Sequence, residues 1–211
     1  TLLGGGGHDT LYGAVGVAGL VGGPGNDVFV LPEPLSGVTG GLGSDWVDFS
    51  SADDGVTFAL SEFPGVENAI GSGFDDAITG TAGRNALFGG LGNDGIYALG
   101  GSDLVDGGLG EDILDGGTGR DTIQGAMKVD LGAGQAWDSP DIAFLHKTIT
   151  HFEDLKGTRG DDTLIGNSRV NTIDGGEGND AIQGRGGNDL LVGGPGDDAV
   201  SFQQAPRGVI V

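Results

Sequence analysis

The sequence predicts an all-β chain, a parallel β-roll (a β-helix or solenoid of stacked nine-residue repeats) carrying two longer β-containing inserts. Three observations lead there: a nine-residue period, a large apolar residue at one fixed place in it, and glycines at fixed places before that residue. Glycine supplies 48 of 211 residues and proline only 7, with no Gly-X-Y period, so a collagen helix is excluded. A flexible glycine-rich linker is a poor account too, because linkers do not hold an apolar residue in register.

The repeat is clearest in eight segments. They are GGGGHDTLY from Gly4, GGPGNDVFV from Gly22, GGLGSDWVD from Gly40, GGLGNDGIY from Gly89, GGLGEDILD from Gly107, GGTGRDTIQ from Gly116, GGEGNDAIQ from Gly175 and GGPGDDAVS from Gly193. The shared pattern is G-G-x-G-x-D-x-U-x, with U apolar. Weaker copies in the same register start at Gly13, Leu31, Gly71, Gly80, Ala98, Gly157, Gly166 and Gly184.

Position eight is apolar in every copy, from Leu11, Leu20 and Phe29 through Ile96 and Leu114 to Leu191 and Val200. Most of these residues suit a short strand with one buried side chain. The preceding glycines permit positive φ and let backbone carbonyls approach a ligand closely. Two repeats make one flat coil of strand, turn, strand and turn, and coils stack as parallel strands about 4.8 Å apart.

Composition narrows the chemistry. The formal charge is −22, so the chain repels nucleic acid and anionic membrane and attracts cations. The absence of cysteine excludes disulfides and thiolate metal sites. A core this thin calls for another staple, and a metal is the obvious one. No apolar run is long enough to span a membrane.

The nonapeptide resembles the RTX family of calcium-binding repeats over about two thirds of the chain. The resemblance implies a turn from the first six residues and a strand from the last three. It places calcium between turns stacked on one edge, held by the position-six side chain and by backbone carbonyls. Hard oxygen donors of this kind select calcium over zinc or copper, and magnesium resists losing its water.

Alternate repeats share an edge, so the implied ligands sort by parity. In the first block Asp9, Asp27 and Asp45 lie on one edge, while Ala18 and Ser36 leave the other without carboxylates. In the second block Asp76, Asp94 and Asp112 face Asp103 and Asp121 across the coil, with Asn85 beside the latter pair. In the third, Asp162, Asp180 and Asp198 face Asn171 and Asp189. Turn carbonyls such as those of Gly4, Gly22, Gly40, Gly89, Gly107, Gly116, Gly175 and Gly193 complete the set. The expected load is about seven to nine calcium ions. Asp75, Asp161 and Asp197 at position five read as solvated turn residues.

The rhythm divides the chain into roll blocks at 1–48, 71–124 and 157–201, with inserts at 49–70 and 125–156 and a third beginning over 202–211. The inserts are related to each other. Val56, Phe58 and Leu60 alternate as Met127, Val129 and Leu131 do. Val66, Glu67 and Asn68 precede Gly71 as Phe152, Glu153 and Asp154 precede Gly157. Each insert is expected to cover the end of one roll and join it to the next, protecting strand edges. Thr1 opens inside one repeat and Val211 closes inside another pattern, which reads as a piece of something longer.

Catalytic motifs such as G-x-S-x-G and H-E-x-x-H are absent, and the regular carboxylate spacing is better explained by metal than by acid–base chemistry. His8 sits at a free turn position, and His146 and His151 read as loop residues rather than zinc ligands. Trp137 reads as packing, with a glycan-binding face as the competing reading. The expectation is a non-catalytic, calcium-folded scaffold of a secreted, extracellular or cell-surface protein, which RTX resemblance links to type I secretion. The alternatives are an accessory module of a secreted protease, lipase or alginate epimerase, and an adhesin or surface-layer segment. Glycan and self-association partners stay open.

Overall fold

The computed structural model describes residues 1–14, 19–126, 128–138 and 146–201, with His146 described by its backbone alone. Expectations resting on Ala18, Met127, the His146 side chain and the third insert over 202–211 lie outside the described residues.

Residues seven to nine of the repeat form strands such as Thr10–Tyr12, Val28–Val30 and Trp46–Asp48. Alternation turns the middle residue inward, and each strand pairs in parallel with the strand eighteen residues on, Leu11 with Phe29 and Phe29 with Val47. One ten-stranded sheet runs from Thr10–Tyr12 to Leu190–Val192. The opposite face holds a three-stranded sheet, Leu2–Leu3, Leu20–Pro24 and Val38–Leu42, and then a second ten-stranded sheet from Thr57–Ala59 to Ala199–Ser201. This is the parallel β-roll.

The core is a double file of position-eight residues, one from each face. Phe29, Val47, Ile78, Leu87, Ile96, Val105, Leu164 and Ile173 are fully buried, Leu191 is partly buried, and Val200 is 39% exposed. Burying each such side chain contributes about 1.5–3 kcal/mol. With one core residue per nine, that is set against about 1–2 kcal/mol of backbone entropy for every residue ordered. Apolar burial alone is insufficient.

The inserts differ from the expected end covers. The first ends in Asn68–Ile70, which sets Ala69 between Val47 and Leu87; the second ends in Asp154–Lys156, which sets Leu155 between Ile123 and Ile173. One sheet therefore continues through both inserts, because each closes with a strand in the repeat's own register. The first insert adds a cluster of Phe49, Phe58 and Phe63 with ring centroids 4.7 to 6.3 Å apart. The second lays Lys128–Asp130, Gln135–Trp137 and His146–Thr150 into the other sheet, the middle strand antiparallel to both neighbours. Among the described residues no helix is long and apolar enough to cross a membrane.

Candidate metal sites along the turn edges

Most turns carry glycines whose neighbours leave no room for a side chain. Gly25 has φ 138°, and a Cβ there would collide with the Gly7 carbonyl oxygen of the preceding turn. A Cβ on Gly22 would collide with Asp27 Oδ2 and lie 2.8 Å from the Gly40 carbonyl oxygen. A carboxylate oxygen and the next turn's carbonyl thus converge on one bare Cα.

The position-six side chains form a ladder. The Asp9 amide donates to Asp27 Oδ1 at 2.9 Å and the Asp27 amide to Asp45 Oδ1 at 2.7 Å. The same bond joins Asp76 to Asp94, Asp94 to Asp112, Asp103 to Asp121, Asp162 to Asp180 and Asp180 to Asp198. Asn85 and Asn171 donate in the same way to Asp103 and Asp189. The parity sorting therefore matches which residues meet.

The second carboxylate oxygen is the informative one. Oδ2 of Asp9, Asp27, Asp45, Asp94, Asp103, Asp121 and Asp180 is buried without a hydrogen-bond partner. Burial drives four of these carboxyls, Asp45, Asp94, Asp103 and Asp121, toward the protonated form. It pushes Asp94 up to about 7, with the charges of Asp112 and Asp76 adding, and Asp103 up to about 6, with Asp121 adding. Burial likewise raises Asp45, Asp112, Asp121 and Asp162. Repeated buried anionic oxygens without donors fit a cation between the turns. No group of three His, Cys, Asp or Glu side chains is placed to hold an ion among the described residues, and the oxygens that converge between turns are carboxylates together with backbone carbonyls. Such all-oxygen donors suit calcium.

Two members of this edge escaped the sequence reading. The Asp45 amide donates to Glu67 Oε2 at 2.9 Å, and the Asp121 amide to Glu153 Oε2 at 3.2 Å. A Cβ on Gly40 would meet the Gly65 carbonyl oxygen, and one on Gly116 that of His151. Each insert thus supplies a carbonyl and a carboxylate in place of a full turn. The Glu67 and Glu153 carbonyls then accept from Asn85 Nδ2 at 2.7 Å and Asn171 Nδ2 at 2.6 Å. The signal was present: Ala69 and Leu155 stand two residues after those glutamates, the spacing from position six to position eight.

Turns that follow an insert are built differently. At position two, Ser72 and Thr158 replace glycine, and their amides donate to Asp76 Oδ2 and Asp162 Oδ2, both at 2.6 Å. Thr81 and Asn167 donate to Asn85 Oδ1 and Asn171 Oδ1 in the same way. These position-six groups are partly satisfied by their own turn. At position five, exposed Asp75 and Asp161 accept the amides of Asn93 and Asn179, forming an outer ladder in place of free solvation.

The remaining candidates have ordinary partners. His8 Nδ1 accepts the Asn26 amide at 2.8 Å, and the 59% exposed His151 side chain pairs with Asp115 at 2.6 Å. The Lys128 ammonium lies 4.7 Å from the Trp137 ring centroid. A family model, the RTX calcium-binding nonapeptide repeat in four copies, matches residues 1–18, 70–105, 96–123, 152–168 and 165–200, more than half of the chain. No curated protein matches it. Of the unmatched stretches, 19–69 holds the repeats from Gly22 and Gly40, whose ladder is the same.

Proposed function

The chain belongs to the RTX calcium-binding nonapeptide repeat family, and we propose that it serves as a calcium-triggered folding module and non-catalytic scaffold of a secreted or cell-surface protein. The observation that carries this reading is the file of buried Oδ2 atoms without partners. Without a cation the carboxylates crowd each edge, and the thin core cannot offset backbone ordering. With calcium between the turns, metal binding becomes folding.

The ligands on this reading are Asp9, Asp27, Asp45, Asp103, Asp121 and Asp189 on one edge and Asp76, Asp94, Asp112, Asp162, Asp180 and Asp198 on the other. Asn85 and Asn171 serve as neutral members, and Glu67 and Glu153 extend the first edge through the inserts. Carbonyls of the first glycines, such as Gly22 and Gly40, face the same carboxylate oxygens. Seven gaps between aspartates, two that begin at Asn85 and Asn171, and two closed by Glu67 and Glu153 raise the load to about eleven ions.

Circular dichroism tests the mechanism. In chelator the chain should be disordered, and β signal should appear at about 0.1–1 mM calcium, as expected for extracellular sites. A full β spectrum in chelator would sink it.

A further inference from the structure

One buried cation stands in the turn edge itself. The strand His146–Thr150 stacks in parallel on Ile113–Asp115, pairing Thr148 with Ile113 and Ile149 with Leu114. That register puts Lys147 opposite Asp112, at the position-six place of the next turn. The other described members of the ladders carry a carboxylate or an amide there, except Val56, whose amide donates to Asp76 Oδ1 at the start of the second edge. Lys147 carries an ammonium, and its side chain is 1% exposed.

The Lys147 Nζ is ringed by oxygens. It donates to the Gly108 carbonyl at 2.7 Å and to Asp138 Oδ1 at 2.5 Å, and it reaches the Gly110 carbonyl at 3.5 Å. It lies 3.1 Å from Asp112 Oδ2 and pairs with it, the one cation that this oxygen meets among the described residues. Gly108, Gly110 and Asp112 are positions two, four and six of one turn. Elsewhere in the stack the corresponding carbonyls, such as those of Gly5 and Gly7, face the following turn. Asp138, from the second insert, adds the second carboxylate that a following turn would otherwise give.

We infer that Lys147 is a tethered cation that takes the place of calcium in the gap above the Gly107–Asp112 turn and closes that edge without metal. The inference rests on the calcium reading of the other gaps. An ammonium offers one charge to two carboxylates and stays attached, so this gap is formed by the chain alone. Its place is where the regular turns stop and the antiparallel strand Gln135–Trp137 enters the sheet. A lysine there keeps the gap closed beside a strand that presents no following turn.

Two measurements test it. Anomalous scattering from calcium-loaded crystals of the unmutated protein should show ions in the Asp76–Asp94 and Asp94–Asp112 gaps and none beside Lys147. A peak within coordination distance of Asp112 Oδ2 and Asp138 Oδ1 would overturn the inference, whereas no peak in any gap would instead sink the calcium reading. Lys147→Ala leaves two carboxylates and two carbonyls around an open space. Native mass spectrometry of that variant at saturating calcium should count one ion more than the parent. An unchanged count in a folded variant would overturn the inference; if the variant does not fold, the anomalous map of the unmutated protein decides alone.

Discussion

Asp45 donates its backbone amide to the carboxylate of Glu67 at 2.9 Å across the first insert, as Asp9 donates to Asp27 within the regular repeats. The insert thus preserves the edge it interrupts in sequence. Glu153 performs the same service for Asp121.

The first prediction uses the second of those glutamates. Glu153→Gln keeps an oxygen acceptor for the Asp121 amide but removes the charge. Calcium counting by native mass spectrometry should show one weakened site, with the β spectrum at saturating calcium retained. An unchanged titration would mean that the inserts bridge the edge without binding metal.

A second prediction separates the members of the first block. Asp27 stands in two gaps, between Asp9 and Asp45, whereas Asp9 closes one among the described turns. Asp27→Ala should weaken two ions and Asp9→Ala one, because a hard dication loses affinity with each charged ligand removed. Equal losses would overturn the shared-ligand arrangement. Ser36, on the opposite edge, should border no ion, and density there would reverse the edge assignment.

Protons should compete with calcium in a defined window. Burial raises the folded-state carboxyls, Asp94 to about 7 and Asp103 to about 6, above the ordinary value of 3.8. The folded metal-free chain therefore binds more protons than the unfolded chain, and this stability is present at low pH and lost as pH rises through about 6 to 7. In chelator, compaction followed by circular dichroism should increase from pH 7 toward pH 4. At fixed calcium the apparent affinity should fall over the same range, since binding needs the charged form. An affinity flat between pH 7 and pH 5 would contradict it.

The turn glycines make the fourth prediction. Gly25→Ala forces a Cβ into the Gly7 carbonyl oxygen at φ 138° and should cost at least about 1–3 kcal/mol, read as a higher calcium midpoint for folding. The exposed Asn26 beside it is the control, and Asn26→Ala should shift the midpoint far less. Equal shifts would show that the turn yields at Gly25.

The repeated part of this architecture was legible because two spacings repeat without exception. Leu11, Phe29 and Val47 recur eighteen residues apart and become neighbours in one sheet, and Asp9, Asp27 and Asp45 do the same on its edge. What escaped notice lies where counting by nine fails. Glu67 and Glu153 sit in inserts of unequal length, so their register shows only when Ala69 and Leu155 are seen in the core file. Lys147 carried no sign of its role, because its opposite number, Asp112, is set by an antiparallel excursion that no repeat encodes. The self-satisfied turns at Ser72 and Thr158 were visible as departures from glycine, but their meaning depends on hydrogen bonds.

The ladder's bond runs one way: the amide of each turn gives to the carboxylate of the turn after it, as Asp76 gives to Asp94 and Asp94 to Asp112. The two ends of any run are therefore unlike. Stripping a coil from the C-terminal side takes from an amide its charged acceptor and leaves it only water to bond. Stripping one from the N-terminal side leaves a carboxylate facing water, where it is at ease. Like a filament with a fast and a slow end, the stack has polarity, and erosion should proceed more easily from one end than from the other.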